Sequence, residues 1–283
     1  RYPTYRDYSE IMSTPTTDST SPITVTHSSS GATLTVYPYG ATVTSFVTAA
    51  GRSVFFLSQE AKLNGSKAIR GGVPLVFPNF GPDPSGNMPQ HGFLRTNLWT
   101  VTHQYDDGEN GGGSAGIVLS LPLNQVVTSR GDPGSSQWAV AAADDTDNDN
   151  KKIDCTIEMH VQINASSMTQ TLTIQNTSPS STEFEFQTLF HTYFQVANQE
   201  ALDPTKCNIT GLKGYTCEDR ITGDTYVLTN DTGDTGDTAI VSIGNLNVER
   251  VYTPPPSSKN AVDVTLMTGG GTTVHLQAFG TVN

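Results

Sequence analysis

The feature that most constrains this chain is a recurring period of two. Apolar and polar residues alternate in short runs from residue 23 almost to the end. The runs are "ITVTH" (23–27), "ATLTVYP" (32–38), "TVTSFVT" (42–48), "LWTVTH" (98–103), "GIVLSLP" (116–122) and "IDCTIEMHV" (153–161). They continue with "MTQTLTI" (168–174), "TEFEFQTLF" (182–190), "AIVSI" (239–243), "AVDVTL" (261–266) and "TVHLQAF" (273–279). Successive side chains on a strand point to opposite faces, so alternation of β-branched and aromatic residues with polar ones predicts half-buried strands. No convincing stretch carries apolar residues at i, i+3, i+4 and i+7. Gly, Pro, Asn and Asp cluster between the runs. The expectation is an all-β, large antiparallel sandwich. Residues 1–22, with "STPTTDSTSP", read as an extended polar tail, and 23–283 read as one β domain.

Composition removes several alternatives. The chain has 283 residues, with 15 Lys+Arg against 27 Asp+Glu and a net charge of −12. That balance argues against a nucleic-acid partner and against an anionic membrane surface, both of which need clustered cations. No apolar run is long enough for a transmembrane helix. The 3 Cys are too few for a disulfide scaffold, and none has zinc spacing. Cys207 and Cys217 read as two reduced thiols in neighbouring strands, with a local disulfide as the alternative. Sequons at Asn64, Asn164, Asn176, Asn208 and Asn230 are too frequent in so Ser/Thr/Asn-rich a chain to indicate secretion. The acidic stretches 142–152 and 230–238 read as solvated loops, and 106–114 as a hairpin loop. His27, His103, His160 and His275 lie in plain alternating runs and read as ordinary strand residues.

Three segments break the alternation. Residues 70–95, "RGGVPLVFPNFGPDPSGNMPQHGFLR", hold two Arg, one His and five Pro. A long ordered loop inside a β body is usually functional. Residues 186–196, "FQTLFHTYFQV", set His191 in a dense aromatic run. Residues 247–256, "NVERVYTPPP", bring Glu249 and Arg250 into an apolar strand before a Pro stop.

Taken in order, "IRGGVPLVFPNFGP…MPQHGFLR…W", "TLFHTYFQV", "ITGLKGYTCEDR" and "NVERVY" resemble the glucose-6-phosphate 1-epimerases, the hexose-6-phosphate mutarotase branch of the aldose 1-epimerase superfamily. The resemblance runs over about residues 23–277. It implies a galactose-mutarotase-like β-supersandwich that interconverts the α and β anomers of a hexose 6-phosphate. By the same resemblance, His191 is the general acid and His91 lies in the sugar site. Arg70 and Arg95 bind the phosphate, and Glu249, where the family usually has Asp, contacts sugar hydroxyls. Gln90 is a further sugar-contact candidate. The residue types suit the task. A His with a carboxylate can exchange protons near neutral pH, and a guanidinium fork can bind two phosphate oxygens. The reaction needs no metal and no organic cofactor.

The resemblance also implies a further C-terminal segment, "VVWNPW", followed by a Glu that acts as general base. The last Glu up to Asn283 is Glu249. The expectation is therefore a domain lacking its C-terminal strands as given. The alternative is a catalytically inactive epimerase-like protein, a carbohydrate-binding or structural subunit with a protein partner at its C-terminal sheet edge. The resemblance favours the cytoplasm, while the non-Met start and the Ser/Thr-rich head leave a processed organellar or secreted form open.

Overall fold

A computed structural model describes residues 21–84, 86, 88–108, 113–123, 126, 153–178, 183–229, 248–258 and 261–280. The fold is all-β, and every strand pairing among these residues is antiparallel. Strands β1 (Ile23–Thr26), β2 (Thr33–Tyr37) and β3 (Thr42–Val47) form a meander. The short β4 (Leu75–Val76) follows, and then a second, four-stranded meander. It consists of β5 (Thr100–Asp106), β6 (Ala115–Pro122), β7 (Cys155–Ile163) and β8 (Met168–Asn176). Of the stretch 106–114, expected as a hairpin loop between β5 and β6, residues 109–112 lie outside the described residues.

Alternation decides what is buried. In β7, Cys155, Ile157, Met159, Val161 and Ile163 point inward, while Thr156, Glu158, His160 and Gln162 point outward. Ile117, Leu119 and Leu121 of β6, with Leu34, Val36, Val43 and Phe46 from the first meander, complete one large core. Leu75, Phe77, Phe93, Leu94 and Trp99 belong to the same core. Each fully buried aliphatic or aromatic side chain contributes roughly 1.5–3 kcal/mol of transfer free energy. The Trp99 indole N–H donates to the Leu94 carbonyl at 3.1 Å. That bond satisfies its one polar atom and fixes the exit of the 70–95 loop.

The later strands build two further sheets around a smaller core of Leu212, Tyr215, Leu228 and Val264. After β9 (Leu189–Phe190), which pairs with β4, come β10 (Cys207–Thr210), β11 (Thr216–Asp219) and β12 (Thr225–Val227). Then follow β13 (Arg250–Thr253), β14 (Val262–Gly269) and β15 (Thr272–Ala278). Their sheet orders are β10-β14-β15 and β12-β11-β13. Cys155, Cys207 and Cys217 are free and buried. Cys207 and Cys217 lie in different sheets rather than on paired strands.

One expected strand is mostly absent. Of "TEFEFQTLF", only Leu189–Phe190 is strand, and 183–188 is irregular. The segment bonds instead to Val76 through the Thr188 hydroxyl, to Pro78 through the Gln187 N–H, and to Phe80 through Gln187 Oε1. The expected strand at 239–243 and the acidic stretches 142–152 and 230–238 lie outside the described residues, as does 1–20 of the polar tail. No helix among the described residues is long and apolar enough to cross a membrane.

Candidate active site

The two loops singled out by the sequence meet at the β4–β9 pair. Gly71 and Gly72 make the approach possible. Both have positive φ, +121° and +65°, and a Cβ on Gly72 would run into the Val43 carbonyl. The Gly72 N–H donates to the Phe56 carbonyl at 2.7 Å, and the Gly72 carbonyl accepts the Tyr193 N–H at 2.8 Å. The His191 N–H donates to the Pro74 carbonyl at 2.9 Å. The RGG segment thus bonds both to the 54–57 strip and to the His191 segment, which also bond each other through Phe56 and Tyr193.

The loop then turns back on itself. The His91 N–H donates to the Gly81 carbonyl at 2.9 Å, and the Gly81 N–H donates to His91 Nδ1 at 3.1 Å. Asn79 Nδ2 donates to the Gly81 carbonyl at 3.0 Å and the Pro89 carbonyl at 3.4 Å. His91 has a φ of +65°, a left-handed conformation that costs about 1 kcal/mol for a residue with a Cβ. The neighbouring Gly92, also left-handed, lies so close to the Phe77 carbonyl that no Cβ fits there. Backbone strain at His91 and an obligatory glycine after it fix where the imidazole goes.

His91 and His191 face each other edge to face, with ring centroids 5.6 Å apart. Phe80 lies over His91 at 5.2 Å, and Tyr193 stacks on His191 at 5.0 Å. Arg95 sits on a single 3-10 turn, Leu94–Thr96, half-buried beside them. Its Nη2 donates to the Gln90 carbonyl at 2.7 Å. Burial, and after it the charges of Arg95 and His191, hold the His91 imidazole below its ordinary value. Burial also lowers the Arg95 guanidinium, against the opposing pull of Tyr193. Asn79 Oδ1 and Arg95 Nε are buried with no protein partner, which costs about 1–3 kcal/mol per group unless a ligand or solvent meets them.

His91, His191 and Arg95 converge. Arg70 is exposed at the entrance of the loop, two residues before the glycine that bonds Tyr193. Gln90 is exposed, and it is its backbone carbonyl that reaches Arg95. Glu249 is exposed just ahead of β13, 3.6 Å from Arg220. Its neighbour Arg250 bonds Asp219 at 2.8 Å, and this bond holds the Asp219 carboxyl below its usual range. Among the described residues neither histidine touches a carboxylate, and no group of three or more His, Cys, Asp or Glu assembles as for a metal ion. A shallow depression of about 370 Å³ lies further along the His191 segment, lined by 195–200 and Gly270. Its Glu200 is already occupied by the Gly270 N–H and Lys206.

Sequence reasoning missed Gln187, which accepts the Phe80 N–H at 2.9 Å and donates its own N–H to the Pro78 carbonyl at 2.7 Å. It read as one more polar position in an alternating run. Its place four residues before His191 was the available signal.

The fold is of the galactose-mutarotase type. It superposes on the crystal structure of a "putative mutarotase" from Salmonella typhimurium with a TM-score of 0.59 at 20% identity, covering 84% of this chain and 64% of that one. It matches the galactose mutarotase related enzyme from Lactobacillus acidophilus with a TM-score of 0.59 at 11% identity, covering 88% and 73%. In sequence, residues 22–124 match the family model described as Aldose 1-epimerase. An Escherichia coli (strain K12) relative described as "Putative glucose-6-phosphate 1-epimerase" is 27% identical over 168 residues, 59% of this chain and 45% of the relative. The chain thus spans less than half the length of that curated relative. The likeness to the aldose 1-epimerases carried by the motifs is a property of both sequence and fold. The family-model match contains Arg70, Gln90, His91 and Arg95 and ends before His191 and Glu249.

Proposed function

We propose that this chain interconverts the α and β anomers of a hexose 6-phosphate, glucose 6-phosphate first among them. The observation that carries the reading is the facing of His91 and His191 at 5.6 Å beside the half-buried Arg95. Arg95, assisted by Arg70 at the loop entrance, binds the phosphate, and its unpartnered Nε is a donor suited to a phosphate oxygen. His191 protonates the ring oxygen as the C1–O bond breaks. A base takes the proton of the C1 hydroxyl, and the open-chain aldehyde rotates about C1–C2. Ring closure on the other face returns both protons, so the reaction is balanced without a redox step. Gln90 contacts the sugar from the exposed rim. Glu249, exposed and 3.6 Å from Arg220, contacts a sugar hydroxyl, and the reading gives it no proton to move. The base in this reading is the Glu that the family resemblance places in a further C-terminal segment.

The absence of a carboxylate contact to either histidine among the described residues favours a second reading, sugar-phosphate binding without turnover. An epimerase-like subunit that docks a protein partner at its C-terminal sheet edge belongs to this reading. Exchange NMR on glucose 6-phosphate with the natural gene product separates the two. The expected result is accelerated α/β exchange that falls about 10²–10⁴-fold in His191→Ala. Binding with no acceleration would leave only the second reading, and no binding would overturn both.

A further inference from the structure

We infer that Gln187 is a positioning residue which, through Phe80 and Gly81, holds His91 as the neutral Nε2–H tautomer, so that His91 acts as a fixed hydrogen-bond donor and not as a proton shuttle. A backbone N–H can only donate. The Gly81 N–H points at His91 Nδ1 across 3.1 Å, so Nδ1 must accept. The single proton of the neutral ring is then on Nε2. Protonating Nδ1 would set two N–H groups against each other, and Arg95 and His191, the charged and titratable groups that face the ring, add to that cost.

The bond depends on where Gly81 is held. The Gly81 carbonyl is gripped by the His91 N–H and by Asn79 Nδ2, but both partners belong to the same loop. The external anchor is Gln187. Its N–H holds the Pro78 carbonyl and its Oε1 holds the Phe80 N–H, so it brackets Asn79 from both sides. Phe80, pinned in this way, lays its ring over His91. Gln187 and His191 share one short segment, so a single stretch of chain indexes both imidazoles. In the mutarotase reading, on which this role in catalysis rests, His91 donates Nε2–H to a sugar oxygen while His191 alone transfers the proton.

The test is two-bond ¹H–¹⁵N correlation spectroscopy of ¹⁵N-histidine-labelled protein at neutral pH. It is run on the wild type, Gln187→Ala and Gln187→Glu, with thermal unfolding as a check on folding. The wild type is expected to show His91 unprotonated at Nδ1 and protonated at Nε2. Gln187→Ala mixes the tautomers and lowers kcat/KM by about tenfold, the size of one oriented hydrogen bond. Gln187→Glu keeps an acceptor for the Phe80 N–H and retains the wild-type pattern. A wild-type His91 protonated at Nδ1 overturns the inference even if no variant folds, and so does a folded Gln187→Ala with an unchanged pattern. The expected tautomer in a protein without anomer exchange refutes the mutarotase reading and leaves the positioning role intact.

Discussion

Replacing Gly92 with Ala tests the geometry of the site with a single methyl group. Gly92 has a φ of +70°, and a Cβ added to it would run into the Phe77 carbonyl and the Pro78 nitrogen. An alanine held in the left-handed region costs roughly 1–2 kcal/mol by itself. The new Cβ cannot share space with the Phe77 carbonyl, so one chain must move. That movement loses the Phe93 N–H to Phe77 carbonyl bond of 3.0 Å, worth about 1 kcal/mol. It also disturbs the edge-to-face contact of the Phe77 and Phe93 rings at 5.7 Å, worth about 0.5–1.5 kcal/mol. The expected loss is about 3 kcal/mol in urea unfolding. Sugar-phosphate affinity should fall in the fraction still folded, because His91 is the preceding residue. Gly51→Ala is the matched control. It has nearly the same φ, +74°, but nothing lies within 4 Å of the added Cβ, so it should cost only the conformational term of roughly 1–2 kcal/mol. Equal losses in the two variants would refute the argument, since the collision with Phe77 would then contribute nothing.

Two further predictions follow from the charges. Arg95→Ala should weaken glucose 6-phosphate binding at least about tenfold and leave free glucose unchanged by calorimetry, with Arg70→Ala acting in the same direction. Equal effects on both sugars would remove the phosphate from the Arg95 site. On the outer face of the second meander, His160 shares a 2.8 Å hydrogen bond with the Tyr105 hydroxyl, and His103 stacks on the Tyr105 ring. Burial, and then the His103 charge, hold its imidazole below the ordinary 6.5. The unfolded chain therefore takes up the proton first. His160 costs no stability above about pH 6.5. Stability falls as the pH drops below that value and levels off once the folded imidazole is itself protonated. His91 adds a loss of the same sign. His160→Gln should flatten part of the slope between urea midpoints at pH 7.5 and pH 5.5, and an unchanged slope would show that His160 is not its source.

The alternating runs announced the two meanders because side-chain direction in a strand is a local property. "IDCTIEMHV" already states which side chains of β7 face the core, and the structure places Ile157, Met159 and Val161 there. "TEFEFQTLF" carries the same pattern and is not a strand for most of its length. Its hydrogen bonds go to Val76, Pro78 and Phe80, and no local rule can see a partner 112 residues away. The motifs around His91, His191 and Arg95 were legible as chemistry, since residue types and their order carry a family likeness. Their convergence was not. By itself, then, the sequence determined an all-β chain and named the imidazoles and guanidinium of a candidate sugar-phosphate site. Only the tertiary structure decided which of those groups meet, that Gln187 joins them, and which nitrogen of His91 accepts the Gly81 N–H. Those outcomes depend on contacts between segments far apart in the chain, set by the close approach of Gly72 and Gly92 to neighbouring carbonyls.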